Sequence, residues 1–164
     1  MPFQGQQQGP GAGSTSPIPQ PVPNLLNLDW WVLSASSEPL ECSAGFIAAS
    51  KAAWITAGIG LKSVEAGFWV TGSVTSPSFF ALPFTGQTRT ITDIKVPPNA
   101  VALAHTHPNA AIAQPSPGDI LNSNKSHLPF YVLSSRGLWL HLPVAASSSV
   151  LRPDQTWLKP CKKE

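Results

Sequence analysis

Val101-Ala102-Leu103-Ala104-His105-Thr106-His107-Pro108, continued by Pro115-Ser116-Pro117-Gly118-Asp119, is the stretch on which the fold of this chain turns. Its first four residues are an apolar run, which predicts a buried strand that delivers His105 and His107 at its exit. Side chains at i and i+2 of an extended segment point to one face, so both imidazoles reach one point in space. Ser116 falls where a helix N-cap belongs, with Pro117, Gly118 and Asp119 in the first turn of the helix that follows. Further along, Phe130-Tyr131-Val132-Leu133 and Leu138-Trp139-Leu140-His141-Leu142 flank Ser134-Ser135-Arg136-Gly137, the pattern of a hairpin. Upstream, an Ala-rich segment from about Ser43 to Gly58, carrying Phe46, Ile47, Trp54 and Ile55, predicts a helix. Strands are expected near Val64 to Val70, Phe79 to Pro83 and Val101 to His105, and the second helix over Pro117 to Ser123. The expected class is α+β (mixed α/β), a central sheet with helices beside it.

The quoted stretch also carries chemistry. Two imidazoles, a hydroxyl and a carboxylate fall within fifteen residues of a chain that has only four His and eight acidic residues. Zinc favours such a set, two His and one carboxylate with the fourth position left to water in catalytic sites. His105, His107 and Asp119 are therefore the expected metal ligands. Each residue also has a plainer role. An HxH at a strand end often serves as a packed histidine pair, Ser116 can act as a cap alone, and Asp119 is favourable near a helix N-terminus in its own right. Those roles are compatible with ligation. Other metal motifs are excluded by spacing: no Glu lies inside the His motif with a later PCxxC, and no HExxH is present. Cys42 and Cys161 share no CxxC arrangement, and the sequence leaves open whether they pair or stay as thiols. His127 and His141 read as structural or solvent-exposed, outside the site.

The residues resemble the signature of the JAMM (JAB/MPN) metalloprotease family, an upstream Glu, then HxHP, a short loop and SxxD. His105, His107, Ser116 and Asp119 match it position by position. Eight residues, Pro108 to Pro115, separate the second His from the Ser, one more than is usual in the family; a surface loop absorbs such an insertion. The closest resemblance is to the JAB-like domains of bacterial polymorphic toxins, which begin their first core strand with a Glu followed closely by Gly and apolar residues. Glu38 and Glu41 flank Pro39 ahead of the first helix, whereas Glu65 opens Glu65-Ala66-Gly67-Phe68-Trp69-Val70 and fits that description best. Its plainer reading is a surface carboxylate at a strand edge.

The resemblance implies that His105, His107 and Asp119 hold Zn2+, that Glu65 is the general acid/base, and that Ser116 helps to stabilise an oxyanion. The implied reaction is hydrolysis of a peptide or isopeptide bond, with a protein or peptide as substrate. Zinc on three protein ligands lowers the pKa of its water to about 7, which suits that chemistry at neutral pH.

Composition bounds the remainder. The 164 residues are enough for one domain with a real core. Residues 1–24 are rich in Pro, Gln and Gly, with no charge before Asp29; such a segment buries too little apolar surface to offset its ordering entropy, so it is read as a disordered tail or linker ahead of a JAMM-like domain at 25–164. It lacks the basic n-region and apolar core of a signal peptide, and no apolar run approaches the length of a membrane span. The expectation is no membrane partner, and a protein that is cytoplasmic or delivered by a specialised secretion system. A net charge of +2 with scattered Lys and Arg provides no basic stripe for nucleic acid. The low charged fraction and six dispersed Trp leave room for an apolar partner surface. Nothing in the sequence sets an oligomeric state. Two functions follow: a zinc metallopeptidase or isopeptidase, as in a toxin or effector domain, or a catalytically silent interaction module on the same fold.

Overall fold

A computed structural model describes residues 38–83 and 95–162. The expected leader at 1–24 lies outside the described residues. The described residues form an α+β fold, a six-stranded mixed sheet with two α-helices. The strands are β1 (Gly67–Ser73), β2 (Ser76–Ala81), β3 (Ala100–Thr106), β4 (Phe130–Ser134), β5 (Gly137–His141) and β6 (Ser149–Pro153), in the spatial order β2-β1-β3-β4-β5-β6. All neighbours are antiparallel except β3 and β4, which run parallel. A parallel pair needs a crossover, and α2 (Pro117–Ser126) supplies it. The topology thus places the exit of β3 and the start of α2 at the same end of the sheet.

The two faces of the sheet follow from register. Residues directly opposite one another share a face, so Trp69, Leu103, His105, Phe130, Val132, Trp139 and His141 lie on one side. Trp69, Leu82, Leu103 and Phe130 form a buried cluster there, with Ala100 and Leu128 against it. The opposite side carries Phe68, Val70, Ala104, Tyr131 and Leu133 and is covered by α1 (Ala44–Thr56). Phe46 of α1 meets Phe68, Phe79 and Tyr131 edge-on, with ring centroids 5.4, 6.3 and 5.1 Å away. Both faces being covered explains why β4 is buried from end to end, FYVLS with no exposed position.

α1 forms where Ala-rich sequence supplies helix propensity and Ser43 supplies the cap, its Oγ accepting from the Phe46 N–H. Phe46, Ile47, Ser50, Ala53 and Trp54 recur at the helical period and face inward. The helix stops in a Schellman motif: Ile59 N–H bonds to Trp54 C=O and Gly58 N–H to Ile55 C=O, with Gly58 at φ 71°. Beyond β6, a 3-10 stretch over Asp154–Leu158 buries Trp157 edge-on to Trp54, centroids 5.6 Å apart. Cys42 and Cys161 form a disulfide that ties the residues before α1 to the C-terminal segment. No helix among the described residues is long and apolar enough to cross a membrane.

Several boundaries differ from expectation. β1 starts at Gly67, so Glu65 precedes the strand rather than opening it. β2 runs over Ser76–Ala81 instead of Phe79 to Pro83, because a tight turn at Thr75 starts pairing early and Pro83 offers no N–H to extend it. α2 continues three residues past Ser123, to Ser126, and ends at His127, which is left-handed at φ 57°.

Candidate metal centre

The expected ligands meet. Thr106 N–H bonds to Ala66 C=O and His107 N–H to Leu133 C=O, so the end of β3 is held on both sides and both imidazoles leave it in fixed directions. His105, His107 and Asp119 are all buried. His105 Nε2 lies 3.1 Å from Asp119 Oδ1, His107 Nε2 lies 3.2 Å from Asp119 Oδ2, and the two Nε2 atoms are 3.2 Å apart. Ligands about 2.1 Å from a tetrahedral ion sit roughly 3.4 Å from one another, so the two imidazole nitrogens and the carboxylate, with each nitrogen beside a different carboxylate oxygen, are close enough to share one ion.

Tautomer geometry supports the same fit. His107 Nδ1–H donates to Ile112 C=O at 2.7 Å, which turns Nε2 toward the cluster, where the neutral ring presents its lone pair. Asp119 is fixed by a capping box: the Ser116 N–H and the Ser116 hydroxyl both donate to Oδ2 at 2.6 Å, while Ser116 Oγ accepts from the Asp119 N–H at 3.2 Å. The helix N-terminus adds a favourable field for the carboxylate. These residues fit a divalent metal, and the two-nitrogen, one-oxygen donor set is one that zinc accepts.

Electrostatics bind the cluster in the metal-free chain. Burial by itself would raise the pKa of Asp119. The charge and hydrogen bond of His105, with hydrogen bonds from His107 and Ser116, overcome that and hold the carboxyl well below the usual range. For His107 burial acts to lower the pKa, but the hydrogen bond and charge of Asp119, the Ile112 carbonyl and the Glu65 charge together raise it.

Glu65 is half-buried and stands beside these ligands. Gly67 pairs with His105 in the antiparallel β1–β3 ladder, and Ala66 N–H donates to Thr106 Oγ1 at 3.0 Å. Glu65 precedes that ladder, and its charge is felt at His107. Ser116 is present too, but its hydroxyl proton is committed to Asp119. Sequence reasoning left His141 aside. It is buried on the sheet face that carries His105, with Nδ1 3.1 Å from Ser148 Oγ and Nε2 without a partner among the described residues. Its alternation with Trp139 was the available signal, since both share the face of Val132 and therefore of His105. Burial lowers the His141 pKa, against an opposing pull from the Asp119 charge. His127 is exposed and serves to end α2. Compared with known proteins, the chain matches no family model, no curated protein and no solved structure.

Proposed function

We propose that this chain is a zinc-dependent hydrolase of JAMM type that cleaves peptide or isopeptide bonds. The observation that carries the reading is the closed triangle of His105 Nε2, His107 Nε2 and the Asp119 oxygens, buried at a strand exit, with the charge of Glu65 acting on His107. A bound zinc ion supplies a water that is acidic enough to ionise near neutral pH and polarises the scissile carbonyl. The chain's own residues do the remainder. Glu65 accepts a proton and passes it to the leaving nitrogen, work for which a half-exposed carboxylate is suited. Ile112 C=O fixes the His107 tautomer, and the Ser116 cap fixes the rotamer of Asp119. Ser116 contributes an oxyanion hydrogen bond if its hydroxyl turns away from Asp119.

One observation favours a second reading. The Ser116 hydroxyl is fully engaged in the capping box, an arrangement that serves a metal-stabilised interaction module equally well. Elemental analysis of protein purified without chelator tests metal binding, with about one zinc per chain expected; a chain that cannot be loaded sinks both readings. Peptide and isopeptide hydrolysis then separates them. In a hydrolase, Glu65→Gln keeps zinc and loses roughly a hundredfold or more in rate, whereas His107→Ala loses zinc and activity together. Full turnover by Glu65→Gln removes the acid/base assignment.

A further inference from the structure

The two sulfurs of the Cys42–Cys161 disulfide have different surroundings. Arg152, on β6, directs Nη1–H to Cys161 Sγ at 3.2 Å while also donating to Lys159 C=O at 3.0 Å and, through Nη2, to Thr156 C=O at 2.5 Å. The guanidinium is therefore held against one sulfur by two carbonyls of the segment that carries it. Among the described residues Cys42 has no such partner; it follows Glu41, a carboxylate whose pKa burial raises against the pull of the Arg152 charge. Both cysteines are half-exposed, so a small reagent reaches the bond.

Thiol–disulfide exchange depends on which sulfur is attacked and on how readily the other departs as thiolate. A cationic hydrogen-bond donor on a sulfur stabilises its thiolate and lowers its pKa from about 8.5. We propose that this disulfide is a directional exchange site for low-molecular-weight thiols of the glutathione class, with Cys42 as the modified residue and Cys161 as the leaving group. The incoming thiol loses its proton to solvent, and its thiolate attacks Cys42 Sγ. A new S–S bond forms there as the Cys42–Cys161 bond breaks, and the electron pair leaves on Cys161 Sγ, against Arg152. A second thiolate attacks the outer sulfur of the mixed disulfide, which releases oxidised reagent and leaves Cys42 reduced. Two molecules of thiol are oxidised for each protein disulfide reduced, so the exchange balances. A guanidinium that only ties down the C-terminal segment confers no such direction.

The test uses the full oxidised chain with reduced glutathione as the probe, trapping with N-ethylmaleimide at short times and reading both cysteines by peptide mass spectrometry. Glutathione on Cys42 with maleimide on Cys161 is expected. Arg152→Met should open roughly tenfold more slowly, with the preference between the sulfurs weakened, and Arg152→Lys should retain most of it because the charge stays. Glutathione chiefly on Cys161, equal amounts on both sulfurs, or no opening of the native bond overturns the proposal. The wild-type regiochemistry decides by itself if Arg152→Met fails to fold.

Discussion

Replacing Gly67 by alanine adds a single methyl group at the point where the sheet meets the metal centre. Its Cβ would stand 2.4 Å from Ala104 C=O, 3.0 Å from His105 Cβ and 3.0 Å from Leu82 Cδ1. The first of these neighbours is backbone and cannot rotate away, so β1 and β3 must part by about 1 Å to restore ordinary contact. Overpacking of this kind costs about 1–3 kcal/mol. The adjacent bonds from Ala66 N–H to Thr106 Oγ1 and from Thr106 N–H to Ala66 C=O lengthen as well, adding about 1 kcal/mol. A total near 3 kcal/mol is expected, read as a lowered urea midpoint of the metal-free chain. Because His105 is one of the displaced atoms' neighbours, zinc affinity should fall by roughly 10–100-fold, as for disturbed outer-shell contacts. Gly118→Ala is the control. Its added Cβ meets only Ser116 Oγ, at 3.6 Å, and helix propensity makes the change neutral or stabilising by up to about 1 kcal/mol. A Gly67→Ala chain within about 0.5 kcal/mol of wild type, with unchanged zinc titration, would refute the reasoning that this ladder positions His105.

Removing the disulfide with Cys42→Ser and Cys161→Ser opens a crosslink spanning 119 residues, for which the chain-entropy relation gives about 5 kcal/mol, measurable by urea unfolding under non-reducing conditions. Ser116→Ala should cost about 1 kcal/mol through the lost cap and weaken zinc binding through the freed Asp119 rotamer, while Ser116→Thr keeps both; equal calorimetric zinc affinity in all three chains would show that the cap does not orient the ligand. Stability of the metal-free chain should also depend on pH through this cluster. The depressed Asp119 contributes above its ordinary value of 3.8 and loses its contribution as pH falls. The raised His107 contributes fully below its ordinary value of 6.5 and loses its contribution as pH rises through the folded value. Urea midpoints measured with chelator should therefore show the cluster's contribution largest between those two values, whereas zinc, which needs neutral imidazoles, shifts the optimum upward.

Legibility of the sequence varied with the physics that decided each element. β3, α2, the β4–β5 hairpin and α1 announce themselves locally, through an apolar run, a capping box, a turn and a helical period, and all four were expected. The ligand triangle followed, because one strand exit and one first helical turn supply all of it. β6 was missed. Its sequence Ser-Val-Leu-Arg-Pro is exposed or half-buried throughout, and it is a strand because the open edge of β5 offers partners rather than because of its own propensity. The parallel pairing of β3 with β4 is likewise a tertiary outcome of where α2 crosses. Glu65 and the disulfide depend on contacts across long stretches of chain, which no local spacing encodes. His141, expected to be structural or solvent-exposed, is buried on the sheet face that carries His105.

The capping box has a consequence for how this site can change. Asp119 takes its position from Ser116, and His107 takes its position from Leu133, so the chain between Pro108 and Pro115 spans two anchors that are each fixed independently. From that span Ile112 C=O reaches back to the imidazole of His107. Residues inserted between Ile112 and Pro115 alter the rim while the Ile112 bond to His107 and the Ser116 cap on Asp119 stay in place, and the added closure entropy grows only as the logarithm of length. The loop is in this sense a replaceable cassette: variants differing in its length and composition can present new surfaces at the rim while His105, His107 and Asp119 stay together.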